Sequence, residues 1–196
     1  MDNKLKIHLT GIILIVLIFL MGSFISNPQQ RATIYISSFG FLALLSILFV
    51  LFIPIIYKLK KNSFTNSLIT NRRWIGIYTF VFALIHVFLV ANLFFKFNIS
   101  KIVENPYRVL GLTAFVILVL MAMTSNDQSM KILKKNWKRL HFLIYPALIL
   151  VIIHSFNLGL IFVKSLTVKI IVITLALIII IWKIRNKFVK DGKNTV

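Results

Sequence analysis

Residues 71–86 read N-R-R-W-I-G-I-Y-T-F-V-F-A-L-I-H, and residues 136–154 read N-W-K-R-L-H-F-L-I-Y-P-A-L-I-L-V-I-I-H. Each stretch opens on a basic, tryptophan-bearing edge and runs through apolar residues to a histidine. Such an edge marks a membrane–water boundary, and the apolar run after it marks the hydrocarbon. An ionisable side chain deep in a bilayer is costly, so a histidine there points to a site. His86 and His154 are the first candidates on that ground.

Their depths agree. At 1.5 Å per residue, His86 lies about 18 Å from the Trp74 edge and His154 about 24 Å from the Lys138 edge. His141 lies only about 5 Å in. Two neutral imidazoles facing each other across a bundle could ligate the two axial positions of a haem iron. The plainer alternative is that each hydrogen-bonds a carbonyl or hydroxyl and does nothing more. Ala83 and Ala147, at i−3 and i−7 from the two histidines, would leave room for a flat macrocycle.

The remainder of the chain reads as scaffold for these groups. Its 196 residues are 59% hydrophobic, with 18 Phe, no Cys and four acidic residues. Mean hydropathy is +0.94. This composition excludes an ordinary soluble domain, and the missing Cys excludes disulfides, thiolate nucleophiles and Fe–S clusters. Six apolar segments, roughly 8–26, 34–57, 74–96, 107–124, 139–157 and 165–183, can each cross a ~30 Å hydrocarbon core. The first follows Lys4 and Lys6 like a signal peptide, but no small-x-small cleavage site follows, and it is read as a retained helix.

The net charge of +19 does not indicate nucleic acid, because the charges cluster at the ends of apolar runs. With the N-terminus inside, 17 Lys and Arg fall on the inner side and six on the outer side. This bias predicts cytoplasmic termini. Trp74, Trp137 and Trp182 all fall at inner ends. The expected fold is an all-α polytopic membrane protein, a six-transmembrane-helix bundle in one domain, 1–196.

Other chemistries lack residues. A zinc site needs three or four close ligands, and His141 is too shallow to join the other two histidines. Neither a serine–histidine–acid set nor a phosphate loop is present. His8 reads as an ordinary interfacial residue.

Four ordered motifs carry a resemblance: R-R-W-I-G-I-Y-T-F-V-F-A-L-I-H at 72–86, N-P-Y-R-V-L-G at 105–111, A-M-T-S at 122–125, and the 136–154 stretch. Together they resemble the ferric reductase-like transmembrane domain, with residues 68–160 as its haem-binding core. Within that superfamily they are most similar to the bacterial YedZ/MsrQ type, the haem-binding membrane subunit of a periplasmic methionine sulfoxide reductase system. The resemblance implies haem b, one or two per chain, and electron transfer across a bacterial cytoplasmic membrane. It carries ligand roles to His86, His141 and His154.

Where larger relatives have a second histidine on the third helix, this chain has Arg72, which suits a haem propionate better than iron. Arg72, Arg73 and Arg139, with Lys138, surround His141. That set suits an inner redox group: a second haem, FMN or a quinone. The implied partners are a periplasmic molybdenum-containing reductase subunit, a cytosolic flavin reductase or membrane quinol as donor, and lipid. A stand-alone ferric or metal reductase is the alternative within the class. A cofactor-free transporter or assembly subunit is the alternative outside it. One feature conflicts with a straight fifth helix: His141 and His154 are about 140° out of phase, and Pro146 between them predicts a kink.

Overall fold

A computed structural model describes residues 3–193. The elements are α1 (Asn3–Ser23), α2 (Pro28–Leu59), α3 (Ser63–Thr70), α4 (Arg72–Leu89), α5 (Ile99–Val103), α6 (Pro106–Met123), α7 (Asp127–Leu133), α8 (Lys135–His141), α9 (Ile144–Leu158) and α10 (Leu166–Lys193). A π-helical turn, Val90–Phe94, extends α4, and a 3-10 turn spans Phe162–Lys164. No strand occurs among the described residues. Six stretches are long and apolar enough to cross a membrane: Asn3–Ser23, Pro28–Leu59, Arg72–Phe94, Pro106–Met123, Lys135–Leu158 and Leu166–Asn186. The six expected spans are all present.

Helix starts follow from local chemistry. Asn27, Asn62, Asn98, Asn105 and Asn126 each accept backbone N–H groups of the helix that follows. These bonds fill donors that a first turn leaves open. Pro28 and Pro106 occupy first helical positions, where a missing N–H is harmless. Asn62 and Thr65 form a reciprocal capping box.

The centre of the bundle is α2. Half of its most apolar window is buried, against 11–17% for the other five spans. Phe39, Leu44, Ile47, Leu48 and Leu51 pack there with Phe82 of α4, Leu148 of α9 and Ile179 of α10.

Against this core α1 is peripheral and is fastened by two tyrosines. The hydroxyl of Tyr78 donates to the His8 carbonyl and that of Tyr35 to the Phe19 carbonyl, at 3.1 Å each. Each ring lies on a glycine of α1, Gly11 or Gly22, where no Cβ could fit. His8 itself accepts or donates at Tyr78 (3.2 Å) and packs edge-on to Trp74. It fastens α1 to α4.

The fifth span is two helices. Pro146 falls in the first turn of α9 and cannot bond the carbonyl of Phe142, which instead accepts from Tyr145. The chain therefore breaks at Phe142–Leu143, one turn before the proline rather than at it. His141 ends α8 and His154 lies on α9, so the phase conflict of a single straight helix does not arise.

Candidate functional site

His86 and His154 come together between α4 and α9, their ring centres 6.3 Å apart and their planes at 86°. Each ring is fixed the same way. His86 Nδ1 donates to the Ile36 carbonyl of α2 at 2.9 Å. His154 Nδ1 donates to the Tyr107 carbonyl of α6 at 2.8 Å. A carbonyl can only accept, so Nδ1 carries the proton and Nε2 is left as the basic nitrogen. Histidines that ligate a metal typically have their second nitrogen held in this way, by a carbonyl or carboxylate.

A helical side chain covers the turn N-terminal to it. A carbonyl already engaged in its own helix can accept a second bond only if residue i+4 leaves it uncovered. Four residues after Ile36 stands Gly40, and four after Tyr107 stands Gly111. A Cβ on Gly40 would lie 2.8 Å from His86 Nδ1, and one on Gly111 would lie 2.5 Å from His154 Nδ1. Both imidazoles thus rest on bare backbone. Ala83 and Ala147, the small residues singled out in the sequence, are buried, and the seats of the two rings are made by Gly40 and Gly111.

The ring separation can be tested against ligation. A metal–imidazole bond is about 2.0–2.1 Å, and the ring centre lies about 1.2 Å further on. Two imidazoles on opposite sides of one ion therefore have centres about 6.4 Å apart. The observed 6.3 Å fits. No group of three or more His, Cys, Asp or Glu exists among the described residues. A protein-only site needs about four or more ligands, so an ion here must bring its remaining donors with it.

His141 stands apart from this pair. Its ring stacks on Trp137 at 4.0 Å, its Nδ1 faces the Trp137 carbonyl at 3.2 Å, and its Nε2 faces Ser125 Oγ at 3.3 Å. Trp137 Nε1 donates to the Thr124 carbonyl. Thr124 and Ser125 of the A-M-T-S motif thus dock α8.

The arginines divide. Arg73 forms an ion pair with Asp127 and lies over Trp74. Arg139 is exposed, with no hydrogen bond or ion pair among the described residues. Arg72 donates from Nε to the Val50 carbonyl at 2.9 Å. That carbonyl is the one Pro54 orphans, because residue 54 has no N–H to return four residues back. Its other guanidinium nitrogens make no hydrogen bond among the described residues.

An unmade carbonyl bond inside the bundle costs about 1–3 kcal/mol. Arg72→Ala should destabilise the protein by about that much in detergent unfolding. Pro54→Ala, which restores the missing N–H, should recover most of the loss. Full loss in the double variant would remove the carbonyl from the account of Arg72.

The ferric reductase like transmembrane component model matches residues 39–152, more than half of the chain. The chain belongs to that family. A protein-methionine-sulfoxide reductase heme-binding subunit MsrQ of Xanthomonas campestris pv. campestris is 43% identical over 91 residues, covering 44% of this chain and 42% of its own. The MsrQ of Xanthomonas oryzae pv. oryzae is 34% identical over 110 residues, covering 54% and 50%. Magnetosome protein MamZ of Magnetospirillum gryphiswaldense is 41% identical over 93 residues, covering 45% of this chain and 14% of its own. The chain spans about half the length of these MsrQ relatives or less. No solved structure matches.

Proposed function

We propose that this ferric reductase-like chain is a haem b-binding electron-transfer subunit of a bacterial cytoplasmic membrane, with His86 and His154 as the axial pair. The observation that carries it is the pair itself: two imidazoles 6.3 Å apart, each with Nδ1 committed to a carbonyl. Haem fits the demand for an ion that brings its own donors, and when bound it supplies a one-electron redox centre. The chain's residues bind and orient. Ile36 and Tyr107 fix the tautomer and raise ligand basicity, Gly40 and Gly111 admit the rings, and the α2 core excludes water.

His141 belongs, in this reading, to a second redox site nearer the termini. Trp137 and Ser125 hold its ring there, and Arg72 supplies positive charge. Second haem, FMN and quinone differ in haem count per chain and in what an extract contains. The relatives' MsrQ names support a methionine sulfoxide reductase subunit as acceptor; our reading takes that acceptor to be of the molybdenum-containing kind. The donor is a cytosolic flavin reductase or membrane quinol. The 17:6 charge bias supports termini on the cytoplasmic side.

Purified protein made with ample haem should show a low-spin Soret band and a b-type pyridine haemochrome. A reporter fused after Val196 should fluoresce as green fluorescent protein and stay silent as alkaline phosphatase. A colourless protein under those conditions overturns the haem assignment, and the reverse reporter pattern overturns the orientation.

A further inference from the structure

His154 is hydrogen-bonded to the opening turn of α6, and that turn carries cations. Tyr107, whose carbonyl holds His154, is followed by Arg108. Arg108 donates to the Lys101 carbonyl at 2.6 Å and lies over the Phe95 ring. This ties α5 and the 95–105 loop to the same corner. On the other flank, Lys169 reaches the Phe156 carbonyl, two residues beyond His154. Lys164 lies in the 3-10 turn before α10. Against Lys96, Lys101, Arg108, Lys164 and Lys169, these segments carry one acid, Glu104.

Two of the five cations have structural work. Arg108 braces α5, and Lys169 neutralises the C-terminal end of α9. The ammonium groups of Lys96, Lys101 and Lys164 make no hydrogen bond or ion pair among the described residues. Lysine on the non-cytoplasmic side works against the topology rule that the rest of the chain follows. Nothing in the fold requires these three.

We propose that this rim is a docking surface for a soluble redox partner that presents an acidic face. The proposal rests on the haem reading, which makes the His154 corner the part of this face nearest a redox centre. Charge complementarity is the device by which transient redox partners find orientation, and small wet interfaces of this kind rely on it more than on area. Phe95 and Phe97 beside the lysines supply apolar contact. Anionic lipid headgroups are the competing occupant, but they would draw lysines all around the bundle rim. Here five of the six outer cations lie on the segments that flank one histidine, and the sixth, Arg31, stands in the first turn of α2.

The chain has no cysteine, so Ser100→Cys gives a single labelling point on α5. The labelled protein, in nanodiscs of phosphatidylcholine or of phosphatidylcholine mixed with phosphatidylglycerol, is titrated with polyglutamate as the acidic probe. The readout is the label's anisotropy, which needs no haem. Binding is expected in both lipids, weakening steeply with salt. The triple charge reversal Lys96→Glu, Lys101→Glu, Lys164→Glu should weaken it by about tenfold or more, while Lys60→Glu with Lys61→Glu should leave it unchanged.

Equal binding by the triple variant overturns the surface. Binding abolished by phosphatidylglycerol assigns the lysines to lipid and also overturns it. A colourless protein that still binds the probe would sink the haem reading and leave the surface standing. A protein with a normal Soret band and no probe binding would do the reverse.

Discussion

Alanine at either His86 or His154 is expected to abolish the low-spin bis-imidazole spectrum, each alone and to the same extent. The two rings are not redundant: they stand 6.3 Å apart on different helices, and each has its own carbonyl partner. If the two rings hold the haem, a variant lacking one of them would give a high-spin spectrum or lose haem. The measurement is the Soret and near-infrared spectrum of purified variants, with haem counted per chain. A wild-type spectrum in both variants would remove this pair as the ligand set. His141→Ala should leave the His86–His154 spectrum in place, because its contacts are Trp137 and Ser125.

The second large effect is expected from a single methyl group. Gly111→Ala places a Cβ 2.5 Å from His154 Nδ1, and Gly40→Ala places one 2.8 Å from His86 Nδ1. Contacts under 3.0 Å are essentially never tolerated, so the ring must move. The atom it meets is the one that holds the carbonyl bond, so moving the ring breaks that bond. Loss of such a supporting partner typically costs about 10–100-fold in metal affinity. Haem affinity should fall by about that factor in either variant, measured by haem titration of the apo form. Gly76→Ala is the control, since nothing lies within 4 Å of its Cβ. Equal loss in Gly76→Ala would mean that helix insertion, not ring seating, was disturbed.

The spans and the pairing of His86 with His154 were legible in the sequence for a physical reason. Hydrocarbon thickness fixes span length, and matched depth on two long spans brings two residues to one level. The supporting residues were not legible. Gly40 sits among ordinary apolar neighbours in α2, and its meaning depends on which carbonyl it uncovers and which helix crosses there. Arg72 shows the same limit. Charge suggested an anionic partner, but nothing in the sequence showed that its Nε also meets the carbonyl left by Pro54, 18 positions earlier in the chain. The break at Phe142–Leu143 was half legible: Pro146 announced a disturbance, but a proline clears its own first turn, so the chain bends before it.

That break divides the last third of the family core into two inheritable units. Residues 135–141 answer to Trp137, Thr124 and Ser125, and residues 144–158 answer to α2 and α6. A substitution that retilts the short helix need not reorient the long one. The surroundings of His141 can therefore change without disturbing His154 and its glycine seat.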